Sequence, residues 1–377
     1  MLCIKNGTIH NAISKEAFVA DILVEDGKIV KIGTGLNADE IIDATDLHVY
    51  PGFVEAHCHI GLDGYGIGYE GHDYNEMNDP VAPHLRAIDA INPFDPCMRM
   101  AAEAGVTSFA TGPGSANILG GTFAAIKPVG TCADDMIVKN DVAMKCAFGE
   151  NPKRCYQTKG ISSRMTSAAN LRNALKKAAL YKAKVEAAGD DVSKLPAYDE
   201  KSAALIPVLN KEMPLKAHAH QANDILSFVR IAKELDVEMT LEHVTEGHMI
   251  VKELVNAGYP LAVGPTFGHA SKFELQNKTW ETPGILAKAG CQVSIITDAP
   301  VTPLHYLPLC AGLAVKAGMD EFDALQAITI NPAKHIGIED RVGSLEEGKD
   351  ADIVIMAGSP FDVDSKIKCV LIDGKAI

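Results

Sequence analysis

The hydrophobic pattern divides the chain into a β-rich beginning, a long alternating middle section and a β-rich end. In the first fifty residues, the segment ILVEDGKIVKIG alternates apolar and polar positions around an Asp-Gly turn, which predicts a β-hairpin. From about residue 52, apolar runs of strand length alternate with amphipathic stretches such as LRNALKKAALYKAKVEAA and DILSFVRIAKELD. The predicted strands of this middle section are GFVEAHCH, GVTSFATG, FAAIKPVG, VAMKCAF, PLKAHAH, EMTLEHV, PLAVGP and QVSIITD.

Strands that alternate with helices in this way are typical of a parallel β/α barrel, so we expect the α/β fold class. The sequence predicts a (β/α)8 TIM-type barrel over residues 51–344. Strand-like texture returns in SLEEGKDADIVIMAGSP and continues to the last residue. Because both ends of the chain share this texture, we expect residues 1–50 and 345–377 to pair into one small β-sandwich domain that flanks the barrel.

Composition and charge narrow the classes of function. The 377 residues are 47% apolar and 22% charged, which excludes an intrinsically disordered chain. A formal net charge of −14 does not provide the basic surface that nucleic-acid binding needs. The nine cysteines include no CxxC pair, as is usual for reduced thiols in the cytoplasm. No apolar run reaches signal-peptide or membrane-spanning length, so we expect a cytoplasmic protein without a membrane partner.

Histidines and an aspartate stand at the ends of four predicted strands. Side chains alternate along a strand, so His57 and His59 point the same way. His218, His243 and Asp298 end three later strands, and the carboxyl ends of all barrel strands meet at one mouth. Imidazole and carboxylate groups brought together there are suited to a divalent metal. The sequence therefore predicts a metal site at the mouth of the barrel.

Further polar residues accompany this predicted mouth. His220 shares the strand face of His218 but lies further out, so we expect it to contact substrate or to support a ligand rather than to bind metal directly. A long segment without periodicity, residues 61–95, follows the first barrel strand and is expected to cover the catalytic face. This segment contains His72. The sequence GHASK, residues 268–272, contains His269, and both histidines are candidate substrate contacts. Both segments contain charged residues, mostly acidic in one and basic in the other, so the sign of the substrate's charge stays open.

Two motifs give the chain a family resemblance. The first is Pro51-Gly52-Phe53-Val54-x-x-His57-x-His59, and the second is the tail GSLEEGKDADIV over residues 343–354. Together with the later strand-end residues, they resemble the amidohydrolase superfamily, most of all its imidazolonepropionase-related and prolidase-like branch. The resemblance implies a (β/α)8 barrel, a flanking β-domain from both termini, and one or two divalent ions in the mouth. Zinc is the first expectation, while iron and manganese accept the same ligands.

A site with two metals in this superfamily needs a bridging ligand, for which the chain offers two candidates. Lys145 lies within VAMKCAF, an apolar strand in which a free ammonium is poorly solvated, and its carboxylation would create a bridging anion. Glu150 follows the same strand and can reach the mouth directly. The sequence leaves the choice between these two residues open.

The chemistry expected from this site is hydrolysis of a linear or cyclic amide C–N bond in a small molecule. A divalent metal activates water, and Asp298 is the candidate catalytic base. Deamination on the same residues is the alternative, although Gln221 and Ala222 stand where related deaminases carry an acidic proton shuttle. A catalytically silent metal-binding scaffold is the remaining alternative, and assembly into a homo-oligomer is compatible with the sequence.

Overall fold

A computed structural model describes residues 1–65 and 68–377, so residues 66 and 67 of the predicted 61–95 segment lie outside the described residues. The chain begins with short strands, as its alternating pattern predicts. The hairpin around the Asp-Gly turn joins the second and third of them in antiparallel pairing. The N-terminal strands are β1 (Leu2–Ile9), β2 (Phe18–Glu25), β3 (Lys28–Gly33), β4 (Glu40–Asp43) and β5 (His48–Pro51).

The middle of the chain forms a TIM-like barrel. Its strands follow one another in chain order around an eight-stranded sheet, and the last strand lies next to the first. The first pair and the last four pairs around this sheet are parallel, so their carboxyl ends open onto one mouth. The barrel strands are β6 (Phe53–Cys58), β7 (Val106–Thr111), β8 (Leu119–Ile126), β9 (Ile137–Ala147), β10 (Leu215–Ala219), β11 (Met239–His243), β12 (Leu261–Val263) and β13 (Val293–Ile295).

The prediction of eight parallel strands is wrong for β8, which contains the start of FAAIKPVG. This strand pairs antiparallel with both β7 and β9. Only residues 112–118 connect β7 to β8, and only residues 127–136 connect β8 to β9. A crossover between parallel strands needs about a dozen residues or more, whereas an antiparallel pair needs only a short loop. The connections are therefore too short for the predicted direction.

Helices cover the outside of the barrel where the amphipathic stretches predict them. LRNALKKAALYKAKVEAA lies within the long helix that begins after the Ser163 N-cap. None of the described helices combines the length and the apolar character needed to cross a membrane. The helices are α1 (Pro96–Glu103), α2 (Ala133–Met136), α3 (Glu150–Cys155), α4 (Arg164–Ala188), α5 (Glu200–Ala204), α6 (Ile206–Leu209), α7 (Ala222–Leu235), α8 (Val251–Ala257), α9 (Glu281–Lys288), α10 (Leu307–Lys316), α11 (Glu321–Ala327) and α12 (Ile330–His335).

The two ends of the chain meet in a second eight-stranded sheet. Its last three strands are β14 (Ile353–Ala357), β15 (Lys366–Ile372) and β16 (Lys375–Ala376). The order is β16-β15-β14-β5-β1-β2-β3, and β4 pairs with the first half of β1 outside this path. The antiparallel pairing of β14 with β5 joins the C-terminal strands to the N-terminal ones. The sandwich arrangement and the limits 1–50 and 345–377 remain predictions.

A buried ion cluster ties the barrel to the C-terminal strands. Lys127, which directly follows β8, is 4% exposed. Its Nζ lies 2.9 Å from carboxylate oxygens of Asp350 and Asp352 and 2.6 Å from Asp373. A buried ammonium is strongly destabilising unless it is paired with carboxylates. The fold therefore depends on these three aspartates as long as Lys127 is buried.

Deleting residues 348–377 should therefore destabilise the whole chain. The deletion removes β14 to β16, exposes the edge of β5 and leaves Lys127 buried without its partners. We expect insoluble protein or a clearly lower melting temperature, measured by thermal denaturation. Deleting only residues 375–377, whose side chains are exposed, is the control and should change little. A soluble long deletion with an unchanged melting temperature would show that the ends do not form one unit.

Candidate metal centre

The histidine pair of β6 faces the mouth of the barrel, and each ring is oriented by an acceptor behind it. Nδ1 of His57 donates to Glu242 at 2.9 Å, and Nδ1 of His59 donates to the carbonyl of Gly112 at 2.7 Å. Because Nδ1 carries the proton in these hydrogen bonds, the neutral form of each ring has its lone pair on Nε2. The Nε2 atoms lie 3.7 and 3.3 Å from Oδ1 of Asp298. His57, His59 and Asp298 thus form one group able to hold a metal.

A second group lies beside the first. His218, His220 and His243 offer ring nitrogens that all lie within 4.8 Å of one another. Nδ1 of His243 donates to the carbonyl of Gly264 at 2.9 Å, and Nδ1 of His220 lies 2.7 Å from the hydroxyl of Thr245. The ring of His220, which the sequence predicted to contact substrate or to support a ligand, lies among the metal-competent nitrogens.

Several buried atoms of these groups lack hydrogen-bond partners in the described part of the chain. They are both ring nitrogens of His218, Nε2 of His243 and Oδ1 of Asp298. Buried polar atoms are nearly always paired, and unpaired ones cost free energy unless a ligand or ion satisfies them. Neutral imidazoles with free lone pairs and an ionised carboxylate are the donors that a divalent transition metal prefers. The residues present therefore fit such an ion.

Burial sets the protonation of these groups. It lowers the pKa of His57 and of His218 well below the usual value, and it lowers the pKa of His243 to about 4. Burial alone would raise the pKa of Asp298, but attraction by His243 and His59 outweighs it and brings the pKa below the usual range. At neutral pH the rings are thus neutral and the carboxylate is charged, as metal ligands must be.

Of the two candidates for a bridge, only Lys145 lies in this centre. Its side chain is fully buried on β9, and Nζ lies 2.9 Å from Nε2 of His57. Burial lowers the pKa of Lys145 to about 8, although the nearby Asp298 and Glu242 raise it. The share of neutral amine at neutral pH is therefore larger than for an exposed lysine. Glu150 belongs to neither metal-competent group, and its backbone N–H donates to Glu274 at 2.9 Å.

The two histidines predicted to contact substrate, His72 and His269, differ in their distance from the cavity. His72 is partly exposed, and its Nδ1 lies 2.8 Å from the carboxylate of Asp63, which lines the mouth. His269 is exposed and does not line the cavity beside the metal-competent groups. The structure therefore brings His72 close to the site through Asp63 and leaves His269 outside the cavity.

A cavity of about 270 Å³ opens onto the centre. Its floor includes His59, His218 and Asp298, and two cationic side chains, Arg154 and Lys272, stand on its walls. The volume suits a small molecule, and polar groups of both signs are available to orient it. The other lining residues are Asp63, Tyr74, Asn75, Ser115, Ala116, Asn151, Cys155, Pro300 and Val301.

Carboxylates that sequence reasoning missed hold the ligands in place. Glu55 accepts from the backbone N–H of His57 at 2.9 Å and from the backbone N–H of Thr297 at 2.7 Å. It thereby joins β6 to the end of β13 and fixes the neighbouring Asp298. Burial raises the pKa of Glu55 to about 8 against the effect of these hydrogen bonds. Its position two residues before His57, on the same strand face, was a signal that alternation could have revealed.

Known proteins resemble this chain in sequence and in structure. The family model described as the amidohydrolase family matches residues 48–377. The chain belongs to the amidohydrolase family. It is 41% identical to an amidohydrolase from Thermotoga maritima MSB8, whose crystal structure superposes with a TM-score of 0.96 over 100% of this chain and 99% of that one.

Two curated relatives are more distant. Amidohydrolase tasK of Hapsidospora irregularis is 29% identical over 95% of this chain, and adenine deaminase 1 of Latilactobacillus sakei is 22% identical over 100% of this chain. The chain spans only 40% and 57% of the lengths of these two proteins. The family resemblance of the motifs is thus confirmed, and the amidohydrolase family generally uses divalent metals.

Proposed function

We propose that this amidohydrolase cleaves a linear or cyclic amide bond of a small molecule with the help of one or two divalent ions. The observation that carries the proposal is the convergence of the buried Nε2 atoms of His57 and His59 on the Asp298 carboxylate, beside a cavity of small-molecule size. Zinc is the first candidate, since His and Asp ligands of this kind are typical of its catalytic sites. The imidazolonepropionase-related and prolidase-like branch remains the expected subgroup.

The ligands in this proposal are His57, His59, His218, His243 and Asp298. A metal bound there would lower the pKa of a water molecule and polarise the substrate carbonyl. Glu242 and two backbone carbonyls accept from Nδ1 of His57, His59 and His243, which holds these three rings in the tautomer with the lone pair on Nε2. The orientation of these ligands is therefore set by groups that would not themselves contact the ion.

Asp298 is the proposed catalytic residue. Its side chain is 13% exposed toward the cavity, and Oδ1 has no hydrogen-bond partner among the described residues. An ionised carboxylate in this position can accept the proton of the attacking water and return it to the departing nitrogen. The amide C–N bond then breaks to give a free carboxylate and an amine, with one water consumed.

Lys145 is the proposed bridge between two ions. Its neutral amine can add carbon dioxide to form a carbamate with release of one proton, which converts a cation into an anionic two-oxygen ligand. The contact of 2.9 Å to Nε2 of His57 and the complete burial support this role. Glu150 lacks both features.

Metal analysis of three proteins tests these proposals together. We expect about two divalent ions per chain in the parent after reconstitution with bicarbonate, about one in Lys145→Met, and about two in the matched variant Glu150→Gln. The measurement is elemental analysis after dialysis. Full content in Lys145→Met would refute the bridge. A parent that takes up less than about a tenth of an ion per chain would refute the metal-dependent function and favour a silent scaffold.

The substrate class is tested with the metal-loaded parent. N-acyl amino acids, dipeptides and cyclic amides are the first panel, because they present a hydrolysable amide at the size of the cavity. Deamination is the second candidate, supported by the similarity to adenine deaminase 1 along the whole chain. Amino-substituted purines and pyrimidines form its panel. Ammonia release from these rings, with no cleavage of amides, would replace the first proposal by the second.

A further inference from the structure

A buried carboxylate outside the predicted ligand set faces the second histidine group. Glu274, which follows β12 in the turn Phe273–Leu275, is 1% exposed. Oε2 accepts the backbone N–H of Glu150 at 2.9 Å, which fixes the orientation of the carboxylate. Its other oxygen, Oε1, lies 3.8 Å from Nε2 of His218 and 3.7 Å from Nε2 of His220.

The backbone opposite Glu274 makes room for this approach. Gly149 has a φ of +89°, and a Cβ built there would lie 2.5 Å from Oε2 of Glu274. A side chain at position 149 would therefore push the carboxylate away from its present position. The close approach depends on a residue without a Cβ in a conformation that favours glycine.

The distances between these atoms are those of co-ligands rather than hydrogen-bonded partners. Metal bonds of about 2.0–2.2 Å in a tetrahedral site place the ligand atoms about 3.3–3.6 Å apart. The observed separations of 3.7 and 3.8 Å are close to that range and too long for hydrogen bonds. His243 closes the same group, with its Nε2 unpartnered among the described residues.

We propose that Glu274 is a metal ligand, which together with His218, His220 and His243 holds one divalent ion. The carbamate proposed for Lys145 would link this ion to the one held by the first group, His57, His59 and Asp298. This proposal rests on the proposed function in requiring a metal-binding centre, but it assigns a ligand from a loop that no strand-end pattern includes.

The alternative explanation for Glu274 is a simple ion pair. Nζ of Lys272 lies 2.7 Å from Oε1, so the ammonium and a metal ion would compete for the same oxygen. The two explanations predict opposite effects for removal of the lysine charge. If Glu274 is a ligand, loss of Lys272 frees its oxygen and metal binding is maintained or strengthened. If Glu274 serves only to pair Lys272, both single substitutions disturb the site in the same direction.

The experiment is a titration of the metal-free full chain with Co²⁺, followed by its visible absorption, in the parent, Glu274→Gln and Lys272→Met. For Glu274→Gln we expect one of the two binding steps to weaken at least about tenfold while the other stays unchanged. For Lys272→Met we expect both steps to be as tight as in the parent or tighter. Thermal denaturation confirms that each variant is folded.

Several results would overturn the assignment. Parental affinity for both ions in a folded Glu274→Gln variant would exclude a ligand role, and equal weakening in both variants would identify a structural ion pair. If Glu274→Gln does not fold, Lys272→Met decides alone, because weaker binding in that variant contradicts the proposal and equal or tighter binding supports it. A parent that binds no Co²⁺ would instead refute the proposed metal-dependent function.

Discussion

Asp298→Asn should lose at least about 100-fold in kcat while the chain stays folded. Asparagine keeps the shape of the side chain and one oxygen, but it cannot accept the proton of the attacking water. General acid–base catalysis typically contributes about 10²–10⁴-fold, which sets the expected loss. Steady-state kinetics on the substrate identified from the amide panel measures it. Binding of an unreactive analogue should change much less, because the histidines that hold the metal remain.

The control for this variant is its metal content, since Asp298 also lies 3.3 Å from the His59 nitrogen that we assign to the metal. Turnover is compared at equal loading and after confirmation of an unchanged melting temperature. If a fully loaded Asp298→Asn variant turns over within about fivefold of the parent, Asp298 is a structural ligand only. Another group of the mouth would then have to transfer the proton.

The convergence of the strand-end residues was predictable because it follows from topology alone. Parallel barrel strands present their carboxyl ends to one mouth, so His57, His218 and Asp298 become neighbours despite their distance in sequence. Period-two alternation also places His57 and His59 on one face. These two rules need no knowledge of loops or of packing, and both groups of candidate ligands agree with them.

The direction predicted for β8 was wrong, although the sequence contained a usable signal. An apolar strand has the same pattern in either direction, so LGGTFAAI alone predicts a buried strand and no orientation. The connection over residues 112–118 is the informative feature, since it is too short for a crossover helix. The length of the connection therefore indicates the direction of a strand, which the alternation of strands and helices does not.

The buried carboxylates show the limits of alternation more directly. Glu242 and His243 are adjacent in β11, yet both contribute to the interior of the barrel, where Glu242 accepts from His57. His243 has a φ of +74°, which turns its side chain out of the regular strand pattern. Glu274 reaches the site only through the folding of a loop. Neither positive φ nor loop placement is encoded in a periodic pattern, so these contacts required the three-dimensional structure.

Glu242→Gln should be the most destabilising single substitution proposed for this barrel. The Glu242 carboxylate is fully buried and accepts from His57 at 2.9 Å and from His335 at 2.7 Å, and it lies 3.0 Å from Nζ of Lys216. Neutralising it leaves the Lys216 ammonium buried without its counter-charge, which typically costs about 3–5 kcal/mol. We expect the melting temperature to fall by roughly 4–6 °C in thermal denaturation.

The double variant Lys216→Met/Glu242→Gln separates the two roles of this carboxylate. Removing the buried ammonium as well should recover at least half of the lost stability, because replacing both partners of a buried pair is far less costly than removing one. Metal affinity should not recover, since a neutral amide no longer offers His57 a charged acceptor for Nδ1 and the ring loses its fixed tautomer. Equal stability of the single and double variants would show that Lys216 does not depend on Glu242. Parental metal affinity in the double variant would show that the charged acceptor behind His57 is dispensable for holding the ion.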